Sequence, residues 1–398
     1  MKPVSFFRLM AALLTLSAAG CTGNPAPGDN EFIIEGYVKN IPDSSTVILF
    51  ANYGNIGKSI ARDTVTDGRF MFRDTVSSMK HYSIMGGKGF PSVSLEVWVA
   101  PGERIRIRGN DNLVETWTVK SRLPYQKHEN EYRKAGFPER ARILENRVLM
   151  NDIADEMKAA AAGNDQAALR RAREKLDSIL KLNTPLDSIV DIRKLDYLTK
   201  APVNEIWMDK YGSYVRTLQY DPDNFKADRI RSLYSRLSED DLQTETGRMI
   251  YEYMHLPERV SVGDEMVDGD LYDTDGNLRH LSEFNGKYIL LDFWSQGCGP
   301  CVASIPEMEE IIAAYDGRLE VVGISSDRKD IWLEYLSENE VGGNQWNELR
   351  MGYTGLAAVY GVTGIPHYVM ISPDGRIIDM WAGYARNYLK TKVKALVK

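Results

Sequence analysis

The chain has 398 residues, 43% of them hydrophobic, which is typical of globular proteins and predicts two or three domains at roughly 100–200 residues each. With 49 lysine and arginine residues against 56 aspartate and glutamate residues, the formal charge is −7. This charge argues against a nucleic-acid-binding protein, because neutralising phosphates requires an excess of cations. Three cysteines are too few for the disulfide framework of a small secreted scaffold.

The first twenty residues have the layout of an export signal. Lys2 and Arg8 precede a short apolar run, residues 9–16, and small residues then lead to Cys21. The run is far shorter than a membrane-spanning helix, so we expect residues 1–20 to be removed as a signal peptide. The Ala-Ala-Gly-Cys ending resembles the lipobox of bacterial lipoproteins, which implies that Cys21 carries lipid. A plain secretory signal with an unmodified cysteine is the alternative.

Residues 21–30 read as a flexible tether, and the pattern then alternates with period two over residues 31–120. The Asp67-Gly68 dipeptide is a typical hairpin turn between two such runs. We therefore expect a small antiparallel β-sandwich domain here. Residues 63–70 also resemble a β-domain of unknown function that occurs in lipoproteins.

Residues 121–256 change to helical spacing, as the apolar stripe of Ile143, Leu144 and Ile153 illustrates. Gly163-Asn164-Asp165 predicts a break between two helices. The region contains no metal-ligand spacing, and we interpret it as a helical spacer or dimerisation element. A specificity module for partner proteins is the alternative.

Residues 257–398 alternate strand and helix patterns, which is typical of an α/β domain. The pattern predicts, in chain order, strands over residues 287–294, 319–324, 368–371 and 377–380, with helices over residues 300–315 and 329–338 and at the C-terminus.

Both remaining cysteines lie in Cys298-Gly299-Pro300-Cys301. As a structural staple this pair would be weak, because closing so short a loop removes only about 2 kcal/mol of unfolded-state entropy. A zinc site would need two further ligands, and Val302 excludes the CxxCH haem motif. The remaining interpretation is redox chemistry, in which two thiols one helical turn apart form and break a disulfide.

The surrounding residues favour that chemistry. Cys298 lies at the predicted helix N-terminus, where free N–H groups and the helix dipole stabilise a thiolate, and Pro300 fits the first helical turn. Asp292 lies inside an apolar strand, where a buried and unpaired carboxyl should have a raised pKa and be able to exchange a proton. An outward-facing strand position is the alternative for Asp292.

Residues 292–301 resemble the active-site segment of the thioredoxin family, with Asp292 six residues before the first cysteine. Pro306 matches the helix-kinking proline of that family, and Gly364-Ile365-Pro366 resembles its cis-proline loop. The resemblance extends over residues 260–398 and is strongest to the exported TlpA-like branch. It implies a thioredoxin fold for residues 257–398, behind the β-sandwich and the helical region.

The resemblance also implies roles for individual residues. Cys298 would attack a substrate disulfide, Cys301 would resolve the mixed disulfide, and Asp292 would accept a proton from Cys301. The residues implied to contact or flank the substrate are Ile365, Pro366, which would be cis, and Trp294, for which a core position is the alternative.

Gly299 and Pro300 between the cysteines resemble reducing thioredoxins, with potentials of about −270 mV, rather than oxidants near −120 mV. We therefore expect a reductase or isomerase of exported protein disulfides, anchored in the cell envelope, facing the periplasm and supplied by a membrane electron donor. No metal, nucleic acid or cofactor beyond the Cys298–Cys301 pair is implied.

Two positions depart from the family pattern: Gly297 replaces a common Trp beside the first cysteine, and Ser304 replaces a Glu found in several TlpA-like reductases. His367 either tunes the thiols or is an ordinary strand residue.

Two other functions remain open. A peroxiredoxin-like peroxidase would need Pro-x-x-x-Thr-x-x-Cys, where this chain has Leu291 and Ser295, and a non-catalytic binding lipoprotein would use the fold only as a scaffold.

Overall fold

The structure is a computed structural model that describes residues 26–53, 56–350 and 352–398. The predicted signal peptide and Cys21 lie outside these residues. The described chain contains an N-terminal pair of β-sheets, a helical middle region and a C-terminal α/β region. Within these described ranges, no helix combines the length and apolar character needed to cross a membrane.

The N-terminal region is a two-sheet sandwich, with strand orders β4-β1-β7-β8 and β3-β2-β5-β6. The strands are β1 (Glu31–Val38), β2 (Thr46–Tyr53), β3 (Ile56–Thr64), β4 (Arg69–Thr75), β5 (Lys80–Gly86), β6 (Ser94–Val99), β7 (Arg104–Gly109) and β8 (Thr118–Lys120). Apolar side chains from both sheets, among them Phe32, Leu49 and Ile107, form one core. This is the sandwich that the period-two pattern predicts.

Two details differ from the expected antiparallel hairpins. β1 pairs with β7 in parallel, because the chain returns to β1 by a long crossover rather than a tight turn. Asp67 and Gly68 do form a tight turn with positive φ, bridged by Thr66 and Arg69, but β3 and β4 belong to different sheets. The buried Val65 donates its N–H to Ser45 before the turn, which holds that end of the chain in the sheet of β2.

The middle region consists of helices, as helical spacing predicts. They are α1 (Pro124–Lys134), α2 (Glu139–Ala162), α3 (Gln166–Lys200), α4 (Glu205–Val215), α5 (Ala227–Tyr234), α6 (Glu239–Gln243) and α7 (Glu245–Met254). The predicted break separates α2 from α3, where the Asp165 side chain caps the N-terminus of α3. A core that includes Trp207, Tyr211 and Ile250 joins α4, α5 and α7.

The C-terminal region is built on a seven-stranded sheet of order β10-β9-β13-β12-β11-β14-β15. Its strands are β9 (Leu271–Tyr272), β10 (Leu278–Arg279), β11 (Tyr288–Trp294), β12 (Leu319–Ser325), β13 (Asn344–Asn347), β14 (His367–Ile371) and β15 (Ile377–Ala382). Its helices are α8 (Gly299–Ala314), α9 (Lys329–Glu338), α10 (Leu356–Val359) and α11 (Tyr388–Leu396). β11, β12 and β13 are parallel, and the other pairings are antiparallel.

Successive residues of β11 pack on opposite faces of this sheet. Leu291 belongs to one core, whereas Leu290 packs with Met308 and Ile311 of α8 in the other. The face that bears Leu290 is therefore the one that α8 covers. Asp292 is two residues beyond Leu290, so its side chain is on the same face.

The helical region docks beside the C-terminal region through α7. Glu252 forms an ion pair with Arg350 and accepts a hydrogen bond of 2.6 Å from the Thr354 hydroxyl. Nearby, Arg259 donates a hydrogen bond of 2.8 Å to the Gln219 carbonyl. These contacts bring the helical region to the end of the sheet from which the cysteine segment projects.

Candidate active site

Cys298 and Cys301 form a disulfide at the start of α8, with an S–S distance of 2.08 Å. Cys298 is the N-cap residue of the helix and is partly exposed, whereas Cys301 is only 1% exposed. The two sulfurs therefore differ in their access to a partner. Cys298 is the sulfur that another molecule can reach.

The helix N-terminus directs a backbone hydrogen-bond donor at the Cys298 sulfur. The backbone N–H of Cys301 donates to Cys298 Sγ at 3.2 Å, as a side-chain oxygen would be used in an N-cap. Gly299 and Pro300 form the first helical positions between the cysteines, and both are exposed. An N–H directed at the sulfur favours the thiolate form of Cys298 once the disulfide is reduced.

Asp292 lies on the sheet face that α8 covers. The residue as a whole is partly exposed, but its Oδ1 atom is buried and has no hydrogen-bond partner among the described residues. Burial raises the pKa of Asp292 to about 7. A carboxyl with that pKa exchanges protons near neutral pH, which is the property that the sequence predicted for it.

Asp292 is one member of a polar row that runs across the sheet. Asp292 pairs with Gly323 on one side and with Tyr368 on the other, and Gly323 pairs with Gln345. The Gln345 amide lies over Gly323, since its Oε1 would be only 2.5 Å from a Cβ built there. Gln345 Oε1 is buried without a hydrogen-bond partner in the described part of the chain, and the buried Tyr368 hydroxyl interacts with the Ser304 side chain.

Gln345 also lines an open cavity of about 780 Å³. Its side-chain amide thus joins that cavity to Gly323, the strand neighbour of Asp292. Sequence reasoning missed this arrangement, because the short polar strand Asn344–Asn347 has no apolar alternation.

The Ile365-Pro366 loop lies against the disulfide. The peptide bond between the two residues is cis, as the family resemblance predicts, and the Ile365 carbonyl oxygen is 3.6 Å from Cys298 Sγ. Ile365 is partly exposed, whereas Pro366 is buried. The loop therefore presents Ile365 to any molecule that approaches Cys298.

Trp294 packs beneath the site. It is 3% exposed and forms a small apolar cluster with Cys301 and Trp332. Trp294 therefore supports the buried cysteine and has almost no surface for a substrate to touch, so the alternative of a core position fits it better.

Asp327 anchors the segment before the cysteines, a role that sequence reasoning missed. Its carboxylate accepts hydrogen bonds from the Ser295 hydroxyl at 2.6 Å and from the Gln296 N–H at 2.8 Å. Asp327 follows the end of β12, so the carboxyl ends of two neighbouring parallel strands are joined here. The Ser-Ser-Asp sequence at residues 325–327 was the available signal.

Ser304 follows Cys301 by three residues and His367 follows Pro366 directly, but the two side chains have different surroundings. The Ser304 hydroxyl donates to the Cys301 carbonyl at 2.6 Å within α8. His367 pairs with Phe293, on the sheet face opposite Asp292, and burial lowers its pKa. His367 is therefore a neutral strand residue rather than a neighbour of Asp292.

A cavity of about 440 Å³ opens beside Cys298, between the helical and C-terminal regions. The C-terminal region contributes Ser295, Gly297, Cys298, Gly352, Tyr353 and Ile365, and the helical region contributes Ser213, Arg216, Thr217, Gln219, Tyr220 and Tyr253. Arg216 is the only formally charged side chain in this lining. We call this space the redox cavity.

Comparisons with known proteins agree with this geometry. Residues 285–377 match the family model described as thioredoxin-like. A thiol:disulfide interchange protein DsbE homolog from Paracoccus denitrificans is 32% identical over 147 residues, which cover 35% of this chain and 75% of that protein. The chain belongs to the thioredoxin-like thiol-disulfide oxidoreductases.

Other relatives of this oxidoreductase are similar over a comparable share of the chain. The thiol-disulfide oxidoreductase ResA of Bacillus cereus is 26% identical over 140 residues, which cover 33% of this chain and 77% of that protein. Among solved structures, the thioredoxin domain of a thiol-disulfide oxidoreductase from Bacteroides vulgatus is 27% identical with a TM-score of 0.31 and covers 35% of this chain and 99% of that one.

Proposed function

We propose that this oxidoreductase is exported, anchored through Cys21 and acts on the disulfides of exported proteins as a reductase or isomerase. The observation that carries the proposal is the difference between the two sulfurs of the disulfide. Cys298 borders the redox cavity at a helix N-terminus, and Cys301 is buried behind it. This asymmetry suits one attacking and one resolving thiol.

In the reductive direction, the Cys298 thiolate attacks one sulfur of the substrate disulfide. A mixed disulfide forms, the substrate S–S bond breaks, and the other substrate sulfur leaves as a thiolate that takes up a proton. The Cys301 thiolate then attacks Cys298 Sγ, which releases the second substrate thiol and forms the Cys298–Cys301 disulfide. Two electrons pass to the substrate. A membrane electron donor then reduces the enzyme again.

Asp292 would serve the second step. Its pKa of about 7 makes it a matched acceptor for the proton of Cys301, because a general base works best with a pKa near the operating pH. The Ile365 backbone would hold an extended substrate segment beside Cys298, as the 3.6 Å contact between that sulfur and the Ile365 carbonyl suggests.

The proposal is tested with the processed chain, meaning residues 21–398 with Cys21→Ser to remove the lipid site. Reduction of insulin driven by dithiothreitol is expected, and Cys301→Ala should accumulate mixed disulfides with envelope proteins. Cys298→Ala is the matched control, since it removes the attacking sulfur and should trap nothing. Absence of both insulin reduction and trapped partners would overturn the proposal, and rapid peroxide turnover would favour a peroxidase.

The anchor is tested separately in a bacterial host. The full chain is expected in the membrane fraction and the Cys21→Ser variant outside it. Equal membrane association of the two proteins would contradict lipid attachment at Cys21.

A further inference from the structure

A second cavity, of about 320 Å³, lies where the N-terminal sandwich meets the helical region. Its lining is dominated by charge. The charged lining residues are the acids Glu96, Glu115 and Glu129 and the bases Arg133, Arg140, Arg147, Lys194 and Lys210. Five bases against three acids leave an excess of two positive charges, in a protein whose formal charge is −7.

Two of the three acids form ion pairs with bases of the same lining, Glu115 with Arg140 at 2.6 Å and Glu129 with Lys210 at 3.0 Å. The third acid, Glu96, lies 2.9 Å from His81, which carries a charge only when it is protonated. Among the described residues, no carboxylate lies within ion-pair distance of the remaining bases, Arg133, Arg147 and Lys194, whereas the other two bases are paired.

Arg133 is the most deeply buried of these three bases, with 7% of its surface exposed. Its Nη2 donates to the Asn130 side chain at 3.2 Å, but Nε and Nη1 are buried and have no acceptor in the described part of the chain. The Lys194 ammonium lies 4.9 Å from the centre of the Tyr132 ring, a cation–π contact that leaves its positive charge in place.

The cavity therefore holds more positive charge than its carboxylates neutralise. Burial lowers the pKa of both Arg133 and Lys194, although the nearby carboxylates of Glu115 and Glu129 oppose that shift. Leaving a buried charge unpaired is strongly destabilising, and an anion of opposite charge would relieve that penalty.

We propose that Arg133, Arg147 and Lys194 form a binding site for a phosphate group, which we call the anion cavity. A phosphate monoester carries about two negative charges at neutral pH, which matches the excess of two positive charges. Its oxygens are strong acceptors for guanidinium N–H groups, and Arg133 offers two such groups without partners. The cavity is larger than phosphate alone, so it has room for the small organic group of a phosphate ester.

The experiment is isothermal titration calorimetry and thermal unfolding of the processed chain, with inorganic phosphate and with glycerol 1-phosphate. Saturable binding to one site and a rising melting temperature are expected, because a ligand that binds only the folded state stabilises it. Sodium chloride at equal ionic strength should produce neither effect. Tighter binding of glycerol 1-phosphate than of inorganic phosphate would identify an ester, such as a lipid headgroup, as the ligand, and the reverse order would identify the free anion.

Arg133→Gln and Lys194→Met should each weaken phosphate binding by roughly tenfold or more, as expected for the loss of a charge-assisted hydrogen bond. Both variants remove an unpaired buried charge, so both should fold. Arg171→Gln is the control, because it removes one arginine from the exposed surface of α3. Absence of binding at millimolar phosphate, an equal effect of chloride, or wild-type affinity in both cavity variants would overturn the proposal.

Discussion

The hydroxyl of Tyr253 accepts a hydrogen bond of 2.8 Å from the backbone N–H of Tyr353. Tyr253 belongs to α7 of the helical region, and Tyr353 belongs to a loop of the C-terminal region. Both residues line the redox cavity. This hydrogen bond connects the helical side of the cavity to its C-terminal side. The shape of the cavity beside Cys298 therefore depends on how the two regions dock.

Tyr253→Phe should therefore destabilise the protein by about 0.5–1.5 kcal/mol, because it removes the hydrogen bond that the partly buried Tyr353 N–H donates. Tyr251→Phe is the matched control, since Tyr251 lies on the same helix and is 50% exposed. Chemical denaturation followed by tryptophan fluorescence measures both. Equal unfolding midpoints for the two variants would contradict a structural role for the contact.

Asp292→Asn should slow the resolution of mixed disulfides by roughly 10²-fold or more at pH 8, the scale of general acid–base catalysis. In the wild type the rate should rise through pH 7 as the carboxyl ionises, and the variant should lack that inflection. Stopped-flow measurement of thiol release across pH 5–9 checks this. A variant that keeps the inflection would assign it to a different group.

The same substitution should increase stability at high pH. In the folded state Asp292 holds its proton up to about pH 7, whereas the unfolded chain releases it above a pKa of 3.8. The unfolded state binds fewer protons between these values, so stability falls as the pH rises through this window. At pH 8 the Asn variant should be more stable by roughly 4 kcal/mol. At pH 3.5 the difference should vanish.

Comparing the two proteins at each pH removes the contribution of other titrating groups to the unfolding free energy. Burial also raises the pKa of Glu348 to about 7, but this contribution is present in both proteins and cancels in the difference. A difference between the variant and the wild type that does not change with pH would contradict the buried state of the Asp292 carboxyl.

Gln345→Leu should raise the pKa of Asp292 further, because it replaces the amide over Gly323, the strand neighbour of Asp292, with an apolar group. The inflection in the resolving step should move to higher pH. Asn339→Leu makes a comparable change at an exposed position of the cavity that Gln345 lines and should leave the inflection in place. Identical pH profiles for the two variants would contradict a link between Gln345 and Asp292.

Arg216→Gln should change substrate preference, because among the described residues of the redox-cavity lining Arg216 alone has a formally charged side chain. Two disulfide peptides that differ only in Glu or Gln beside the cysteine serve as substrates. The wild type should favour the Glu peptide in kcat/KM, and the variant should lose roughly tenfold of that ratio. An unchanged ratio would show that the cavity does not select charge.

Much of the C-terminal region was predictable from sequence, because long apolar runs and turn residues define its strands. The expected strand over residues 287–294 corresponds to Tyr288–Trp294, and the expected helix over residues 300–315 corresponds to Gly299–Ala314. The family resemblance also led to the cis bond at Pro366. β13 and α10 escaped prediction, since the first is polar and the second spans only four residues.

The redox cavity was not predictable in the same way. Its lining combines Arg216 and Tyr253 with Gly297 and Tyr353, residues that no local pattern connects. They meet only because α7 docks on the C-terminal region. The sequence marked Gly297 as a departure from the family pattern, but the residues that border the cavity beside it come from tertiary packing.

Helix α4 contributes to the lining of both the anion cavity and the redox cavity. Lys210 of this helix lines the anion cavity, and Ser213, one turn further along, lines the redox cavity. The anion cavity and the redox cavity therefore share one helix in their walls, with the two lining side chains one turn apart. A ligand that displaced α4 would change the walls of both cavities.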